Sequence, residues 1–299
     1  MAKTRFRPDR GLSFRMFLTM LVLAGLFVVL MWAIATFTRG GWWLGIILGL
    51  GIFWAQWYFS DTIAIKGMGA REVSPREAPQ LHAIVDRLCA QADMPKPRVA
   101  IANTSMPNAF ATGRSPKRAV VCATTGIMNR LDERELEGVM AHELSHVAHR
   151  DVTVMTIASV VGVLAGFMTR IGLFGAIGGR RDSGGAPVIL VIMAVSIAVY
   201  AVSFLMTRLL SRYRELAADR AGAYLTGQPS QLANALTKIT GDMRRIPDRD
   251  LREKEAYNTF FFAPALTNKM DLARMFSSHP SLERRLDQLG KISVELGQG

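Results

Sequence analysis

Residues 139–151 read VMAHELSHVAHRD, with two histidines four positions apart and a glutamate directly after the first. Positions i and i+4 lie on one face of an α-helix, so His142 and His146 can reach the same metal ion. Glu143 lies beside that face and can activate a water molecule and pass its proton to a leaving amine. The alternative is a solvated, charged helix that carries these histidines by chance. The spacing favours a zinc site.

The start of this helix is also encoded nearby. Asp132 can cap it, and Glu135 three residues later can complete a capping box. We therefore expect a helix that runs from this cap through the motif to about Arg150.

A catalytic zinc site needs a third protein ligand. His149 is the nearest histidine, but it lies seven residues beyond His142, roughly 10 Å along a straight helix. The extended pattern H-E-x-x-H-x-x-G-x-x-H would bend the chain, but here His149 and Val152 occupy its glycine and last histidine positions. We predict that His149 is a surface residue or supports a ligand indirectly.

A carboxylate from a separate helix is the other source of a third ligand. Glu215 and Asp219 are one turn apart in SRYRELAAD, residues 211–219, and share a helix face. Glu215 can bind a metal, and Asp219 can accept a hydrogen bond from a ligand histidine and orient it. An ordinary charged helix, whose acids balance the neighbouring arginines, is the alternative, and these residues taken alone favour it.

Half of the 299 residues are hydrophobic, and they cluster into stretches near the length of about 20 residues that crosses a bilayer. These stretches are Leu18–Phe37, Gly41–Phe59, Val152–Phe174 and Val188–Leu210. The last two stretches could instead be buried core helices of a soluble domain. The first stretch could be a cleaved signal peptide, although its apolar run is too long for a typical signal. Five basic residues before the first span predict a cytoplasmic N-terminus: Lys3, Arg5, Arg7, Arg10 and Arg15.

The net charge of +12 suits an anionic inner leaflet. We expect no nucleic-acid partner, because no basic motif interleaved with aromatic residues and no zinc-finger spacing is present. Cys89 and Cys122 are the only cysteines and fit two free thiols in a reducing compartment.

Taken together, His142–His146, the downstream Glu215-x-x-x-Asp219 and the four apolar spans resemble the HtpX family of membrane-bound zinc metallopeptidases, distant relatives of the CAAX prenyl proteases. Three further stretches are similar to family motifs: PNAFATG at 107–113, ATTG at 123–126 and SHP at 278–280. The resemblance implies one Zn²⁺ per chain held by His142, His146 and Glu215, with Glu143 as general base. The family often has asparagine at position 149, so His149 is a local departure from the family pattern. It does not affect the ligand set.

The resemblance suggests further contacts to substrate. Asn108 and Ala109 lie in an extended segment that could pair with substrate backbone as an edge strand, or could be a plain hairpin. His279 and Arg285 correspond to family positions near the cleft and could donate hydrogen bonds to the oxyanion. Alternatively, His279 caps the next helix and Arg285 is a surface charge.

We predict a mainly α membrane protein with four transmembrane helices and a cytoplasmic, zincin-type α+β catalytic domain that contains a small β-sheet. Residues 1–60 form the basic segment and first hairpin, 61–151 the first part of the catalytic domain, 152–210 the second hairpin, and 211–299 the second part with the third ligand. The shorter elements that we expect are strands at Arg98–Ile101, Ala109–Thr112 and Ala119–Ala123, and helices at Glu77–Ala92, at Leu282–Leu289 and from Ser211 to a stop at Gly227.

We predict a membrane-anchored zinc endopeptidase, and the resemblance implies that it cleaves membrane proteins on the cytoplasmic side of a bacterial inner membrane, in quality control. The partners that we expect are the bilayer and misfolded membrane proteins or unfolded polypeptides, and the sequence sets no oligomeric state. One alternative is an intramembrane metalloprotease, but seven charged residues crowd the motif helix and would be costly in lipid. Another is a catalytically silent scaffold or chaperone-like module, which would have no need of Glu143.

Overall fold

The structure, a computed structural model, describes residues 10–37, 57–178, 186–243 and 279–298, together with scattered positions between 47 and 55. Its contacts divide the chain into two compact units. One unit comprises Gly11–Trp57 and Val154–Leu210, and the other comprises Met1–Arg10, Tyr58–Thr153 and Ser211–Gly299. All of the candidate site residues belong to the second of these units.

Helices dominate the part of the chain that the structure describes. The helices are α1 Arg10–Phe37, α2 Ser60–Gly67, α3 Pro79–Ala92, α4 Thr125–Arg130, α5 Glu133–Ala148, α6 Asp151–Gly178, α7 Ala186–Thr226, α8 Pro229–Met243 and α9 Leu282–Glu295. The strands are β1 Ala70–Glu72, β2 Arg98–Ala102, β3 Ala109–Thr112 and β4 Val120–Thr124.

Three of the described helices, α1, α6 and α7, are long and apolar enough to cross a membrane. Their apolar segments are Ser13–Trp32, Asp151–Arg170 and Leu190–Thr226. Large apolar side chains on α1, such as Phe14, Phe17 and Trp32, are exposed, as on a surface that faces lipid. The predicted first, third and fourth spans coincide with these helices. The predicted second span, Gly41–Phe59, lies mostly outside the described residues and stays a prediction.

Helix α7 runs for 41 residues without a break. It ends directly before Gly227, whose φ of +65° is a left-handed conformation that glycine adopts without strain. This confirms the predicted continuation of the fourth apolar helix to a stop at Gly227. Residues from Ser211 onward belong to the second unit, so Glu215 and Asp219 lie in the same unit as α5.

The second unit contains a four-stranded sheet with strand order β1-β2-β4-β3. β2 and β4 are parallel, and the two outer pairs are antiparallel. All five residues of β4 are buried, as expected for a central strand covered on both faces. The three predicted strands are confirmed within a residue at each end. β1 was not predicted, because Arg71 and Glu72 interrupt the apolar pattern and the strand forms by pairing with β2.

Helix α5 begins as predicted. Asp132 accepts a hydrogen bond from the backbone N–H of Glu135, and the Glu135 carboxylate accepts one from the backbone N–H of Asp132. Leu136, Met140 and Leu144, spaced four apart on one face, are buried in a core shared with α3, α8 and the sheet. Burial of each such side chain contributes about 1.5–3 kcal/mol, so this face fixes the position of the motif helix.

Two helices differ from their expected bounds, and three were not expected. α3 begins at Pro79 rather than Glu77, because the Glu77 carboxylate accepts hydrogen bonds from Ser74 in the preceding turn. α9 continues to Glu295, beyond the expected end at Leu289. α2, α4 and α8 were not predicted, and α8 packs against both α5 and α9.

Candidate metal centre

The side chains of His142, His146 and Glu215 converge where α5 meets α7. His142 Nε2 lies 3.2 Å from His146 Nε2 and 3.7 Å from Glu215 Oε2, and His146 Nε2 lies 3.5 Å from Glu215 Oε1. Ligand atoms at about 2.0–2.1 Å from a tetrahedral zinc ion are separated by roughly 3.3 Å. Two imidazoles and one carboxylate are also a donor set that zinc prefers. The three residues therefore fit a zinc ion with one coordination position left open.

The ligand cluster is shielded from solvent. His142 is 1 % exposed and Glu215 is 8 % exposed. Burial lowers the pKa of His142, because the imidazolium form loses its hydration. The neutral imidazole, which is the form that binds a metal, is therefore favoured.

Glu143 lies next to the ligands on α5, 4 % exposed and facing the edge strand β3. Burial raises the pKa of its carboxyl to about 8, since the charged form is poorly solvated there. The backbone N–H of Ala111 on β3 bonds to the carboxylate and opposes that rise. A zinc ion bound at the neighbouring ligands would favour the charged carboxylate, which is the form that a general base needs.

Asp219 lies one turn beyond Glu215 on α7 and contacts the first ligand histidine. Its Oδ1 is 2.9 Å from His142 Nδ1, and Arg285 donates to both of its oxygens at 2.6 and 2.7 Å. A carboxylate only accepts hydrogen bonds, so this contact favours the tautomer with the proton on His142 Nδ1, in which Nε2 can bind a metal. This is the position expected for the orienting role predicted for Asp219.

His279 and Arg285 were predicted as possible oxyanion donors, and the structure places both against the acidic residues of the site. His279, just before α9, has its Nδ1 3.0 Å from Glu215 Oε2. Arg285 Nη1 is 3.7 Å from the same Glu215 oxygen, in addition to its bonds with Asp219. Both side chains are buried, so they support the carboxylates of the site from the α9 side.

Asn108 and Ala109 are buried at the start of β3, each 1 % exposed. The backbone N–H of Asn108 donates to Thr124 Oγ1, and its backbone oxygen accepts a hydrogen bond from the N–H of Thr124. The backbone of Asn108 therefore pairs within the sheet. The residue of β3 that approaches the site is Ala111, whose backbone lies beside the Glu143 carboxylate. His149, exposed at the C-terminal end of α5, is not part of the ligand cluster.

Two residues of the site were not predicted. Asp151 Oδ2 lies 2.5 Å from His146 Nδ1, and Arg214 forms an ion pair with the same oxygen. Arg150, with a φ of +56°, lies between α5 and α6 and turns the chain so that Asp151 returns to His146. The available signals are an acid five residues after the second histidine and an arginine directly before Glu215, and both are equally typical of ordinary helix charges.

The sequence of the chain is similar to those of known proteases. Residues 75–293, which include every proposed ligand and Glu143, match peptidase family M48. The chain is 55% identical over 297 residues to Protease HtpX homolog 1 of Streptomyces coelicolor, covering 99% of this chain and 97% of the relative. It is 52% identical over 294 residues to the Protease HtpX homolog of Moorella thermoacetica, covering 96% of each.

A solved structure is also similar. The crystal structure of Ste24p from S. mikatae superposes with a TM-score of 0.51 at 18% identity, covering 94% of this chain and 66% of that chain. At this identity the likeness concerns the fold, and it extends over nearly the whole of this chain.

Proposed function

We propose that the chain, which belongs to the HtpX proteases of peptidase family M48, is a membrane-bound zinc endopeptidase that cleaves cytoplasmic segments of membrane proteins. The observation that carries the proposal is the convergence of His142, His146 and Glu215, with the buried Glu143 beside them. The three residues would hold the metal and leave room for water and a substrate carbonyl. When bound, zinc supplies a Lewis acid that promotes ionisation of water and stabilises charge on the carbonyl oxygen.

Proton movement falls to Glu143. Its carboxylate takes a proton from the attacking water and delivers it to the amide nitrogen as the peptide bond breaks. The position of Glu143 supports this role, because it directly follows the first ligand on α5 and is buried beside the cluster. The Glu143 carboxylate lies beside the backbone of Ala111 on β3, the side on which a substrate strand would approach.

Substrate is proposed to bind along β3 as an extended segment. β3 is an edge strand that lies against α5, and this contact supports a zincin-type arrangement of the catalytic domain. A shallow depression beyond its end is lined by Ala111, Gly113, His146 and Arg150. Main-chain pairing at such an edge reads little sequence, which suits a protease that acts on many unfolded segments.

Cleavage in water rather than in lipid is supported by the position of α5. This helix is not one of the three described helices that are apolar enough to span a membrane. Its buried face packs on the sheet and on α3 and α8. The proposal therefore favours cleavage of exposed segments over intramembrane proteolysis.

The biological role proposed is quality control at a bacterial inner membrane, with misfolded or damaged membrane proteins as substrates. Four spans and a cytoplasmic N-terminus would place both parts of the catalytic domain in the cytoplasm. This fits a shared metal ion, because His146 and Glu215 can bind the same ion only if the chain crosses the membrane an even number of times between them. The basic N-terminal segment supports this orientation.

The test is Glu143→Gln in detergent-purified, zinc-loaded protein, assayed with unfolded casein. The variant should retain about one zinc ion per chain and lose cleavage, because an amide cannot take the proton. Glu137→Gln is the matched control, since Glu137 lies on α5 and pairs with Arg87 at 2.8 Å. Chelator-sensitive cleavage by Glu143→Gln at the wild-type rate would remove Glu143 from this role.

A further inference from the structure

The second ligand histidine has an orienting carboxylate of its own, and we propose that Asp151, held in place by Arg214, is a positioning residue for His146. The inference rests on the proposed zinc function and deepens it, because it assigns to Asp151 and Arg214 a role in holding the metal. A ligand histidine normally donates its other ring N–H to an acceptor that fixes its tautomer and orientation.

Three contacts define the position of Asp151. Its Oδ2 lies 2.5 Å from His146 Nδ1 and forms an ion pair with Arg214 Nη2. Arg214 Nη1 also donates to the backbone oxygen of Asp151 at 2.8 Å. Both residues are buried, with exposed fractions of 8 % and 5 %. A buried carboxylate without a partner would be costly, so Arg214 both compensates its charge and fixes where it points.

The contacts around His146 repeat those around the first ligand. Asp219 Oδ1 faces His142 Nδ1 and is also held by Arg285 Nη2. In each set of three, one carboxylate oxygen lies between a histidine Nδ1 and an arginine. Both histidines direct Nε2 into the cluster, 3.2 Å apart. The same chemistry therefore orients both imidazoles, although the two aspartates come from different helices.

The location of this pair connects two ligands. Asp151 is the first residue of α6 and follows α5, which carries His146. Arg214 directly precedes Glu215 on α7, and successive helix residues point in different directions. Glu215 on α7 therefore faces the metal position, while Arg214, directly before it, binds Asp151 in the segment after α5. Loss of the pair should loosen both the His146 ring and the approach of Glu215.

The experiment uses metal-stripped, detergent-purified protein and measures its zinc dissociation constant by competition with a chromophoric chelator. The Co²⁺ absorption spectrum and the thermal unfolding of the metal-free form are measured on the same protein. The main variant is Asp151→Leu combined with Arg214→Met, which replaces the buried ion pair by apolar groups and leaves no unpaired charge. Asp151→Asn keeps an acceptor oxygen. Glu135→Gln is the control, because the buried Glu135 pairs with the exposed Lys238 on α8, at 2.6 Å, away from the ligands.

The double variant should bind zinc about 10–100-fold more weakly and change the Co²⁺ spectrum, with a smaller effect in Asp151→Asn. Glu135→Gln should lower thermal stability and leave the zinc dissociation constant unchanged. A folded double variant with wild-type zinc affinity would overturn the inference, as would an affinity loss no larger than that of the control. If the double variant does not fold, wild-type affinity and spectrum in Asp151→Asn would overturn the inference equally. A wild-type protein that binds no zinc would instead refute the proposed function.

Discussion

Glu143 should make the metal-free protein less stable as pH rises. Burial raises the pKa of this carboxyl from 4.5 to about 8. The folded protein therefore binds the proton more tightly than the unfolded chain does, and unfolding releases it between these two pH values. By linkage, the contribution to the free energy of unfolding is largest below about pH 4.5 and decreases until about pH 8.

The size of the effect follows from the same values. One pKa unit corresponds to about 1.4 kcal/mol, so the contribution lost by pH 9 is on the order of 5 kcal/mol. Glu143→Gln has no charge to bury and avoids this loss. At roughly 2–4 °C per kcal/mol, its Tm relative to wild type should rise by on the order of 10 °C between pH 5 and pH 9.

The assay is thermal unfolding of metal-free wild type and Glu143→Gln in detergent at pH 5, 7 and 9. Glu77→Gln is the control with the opposite environment. Hydrogen bonds from the Ser74 backbone and from Arg71 lower the pKa of Glu77 to about 2, so its charge is constant over this range. Its Tm difference from wild type should not change with pH. A Tm difference for Glu143→Gln that is also constant from pH 5 to pH 9 would refute the burial argument.

Three other predictions concern helix packing, ligand orientation and topology. Gly222→Ala should lower both Tm and zinc affinity, because the added Cβ would lie 3.0 Å from the backbone nitrogen of His142. A Cβ added at Gly241 has no atom within 4 Å, so Gly241→Ala should be neutral or stabilising in the same assays. Asp219→Ala should weaken zinc binding about 10–100-fold in a chelator competition, and an unchanged affinity would contradict its orienting role. In the four-span topology, a membrane-impermeant thiol reagent outside the cell should label Gly184→Cys but not Ser230→Cys, and equal labelling of both would contradict that topology.

Local patterns in the sequence predicted the motif helix well. Its capping box, its buried face at every fourth residue and its two histidines on one side depend on neighbours within a few turns. The same holds for the end of α7 at Gly227, where a single glycine sets the stop. These features needed no knowledge of distant contacts.

The remaining features depend on contacts between distant segments. The neighbours of Glu215 in the sequence are typical of an ordinary charged helix, so it was assigned as a ligand through the family resemblance. The approach of α7 to α5 gives the physical reason for that assignment. The roles of Asp151 and Arg214 were not predicted, because their contact joins residues 63 positions apart. Helix α8 was missed since its stability comes from packing on α5 and α9. Tertiary contacts therefore decide which of several acidic residues belong to the site.

The ligand set is tested most directly by the zinc content of Glu215→Ala beside that of wild type and His149→Ala. The account predicts about one zinc ion per chain in wild type and in His149→Ala, and loss of tightly bound zinc in Glu215→Ala, because two histidines alone hold the ion weakly. Zinc retained at wild-type affinity by Glu215→Ala, with zinc lost from His149→Ala, would contradict it.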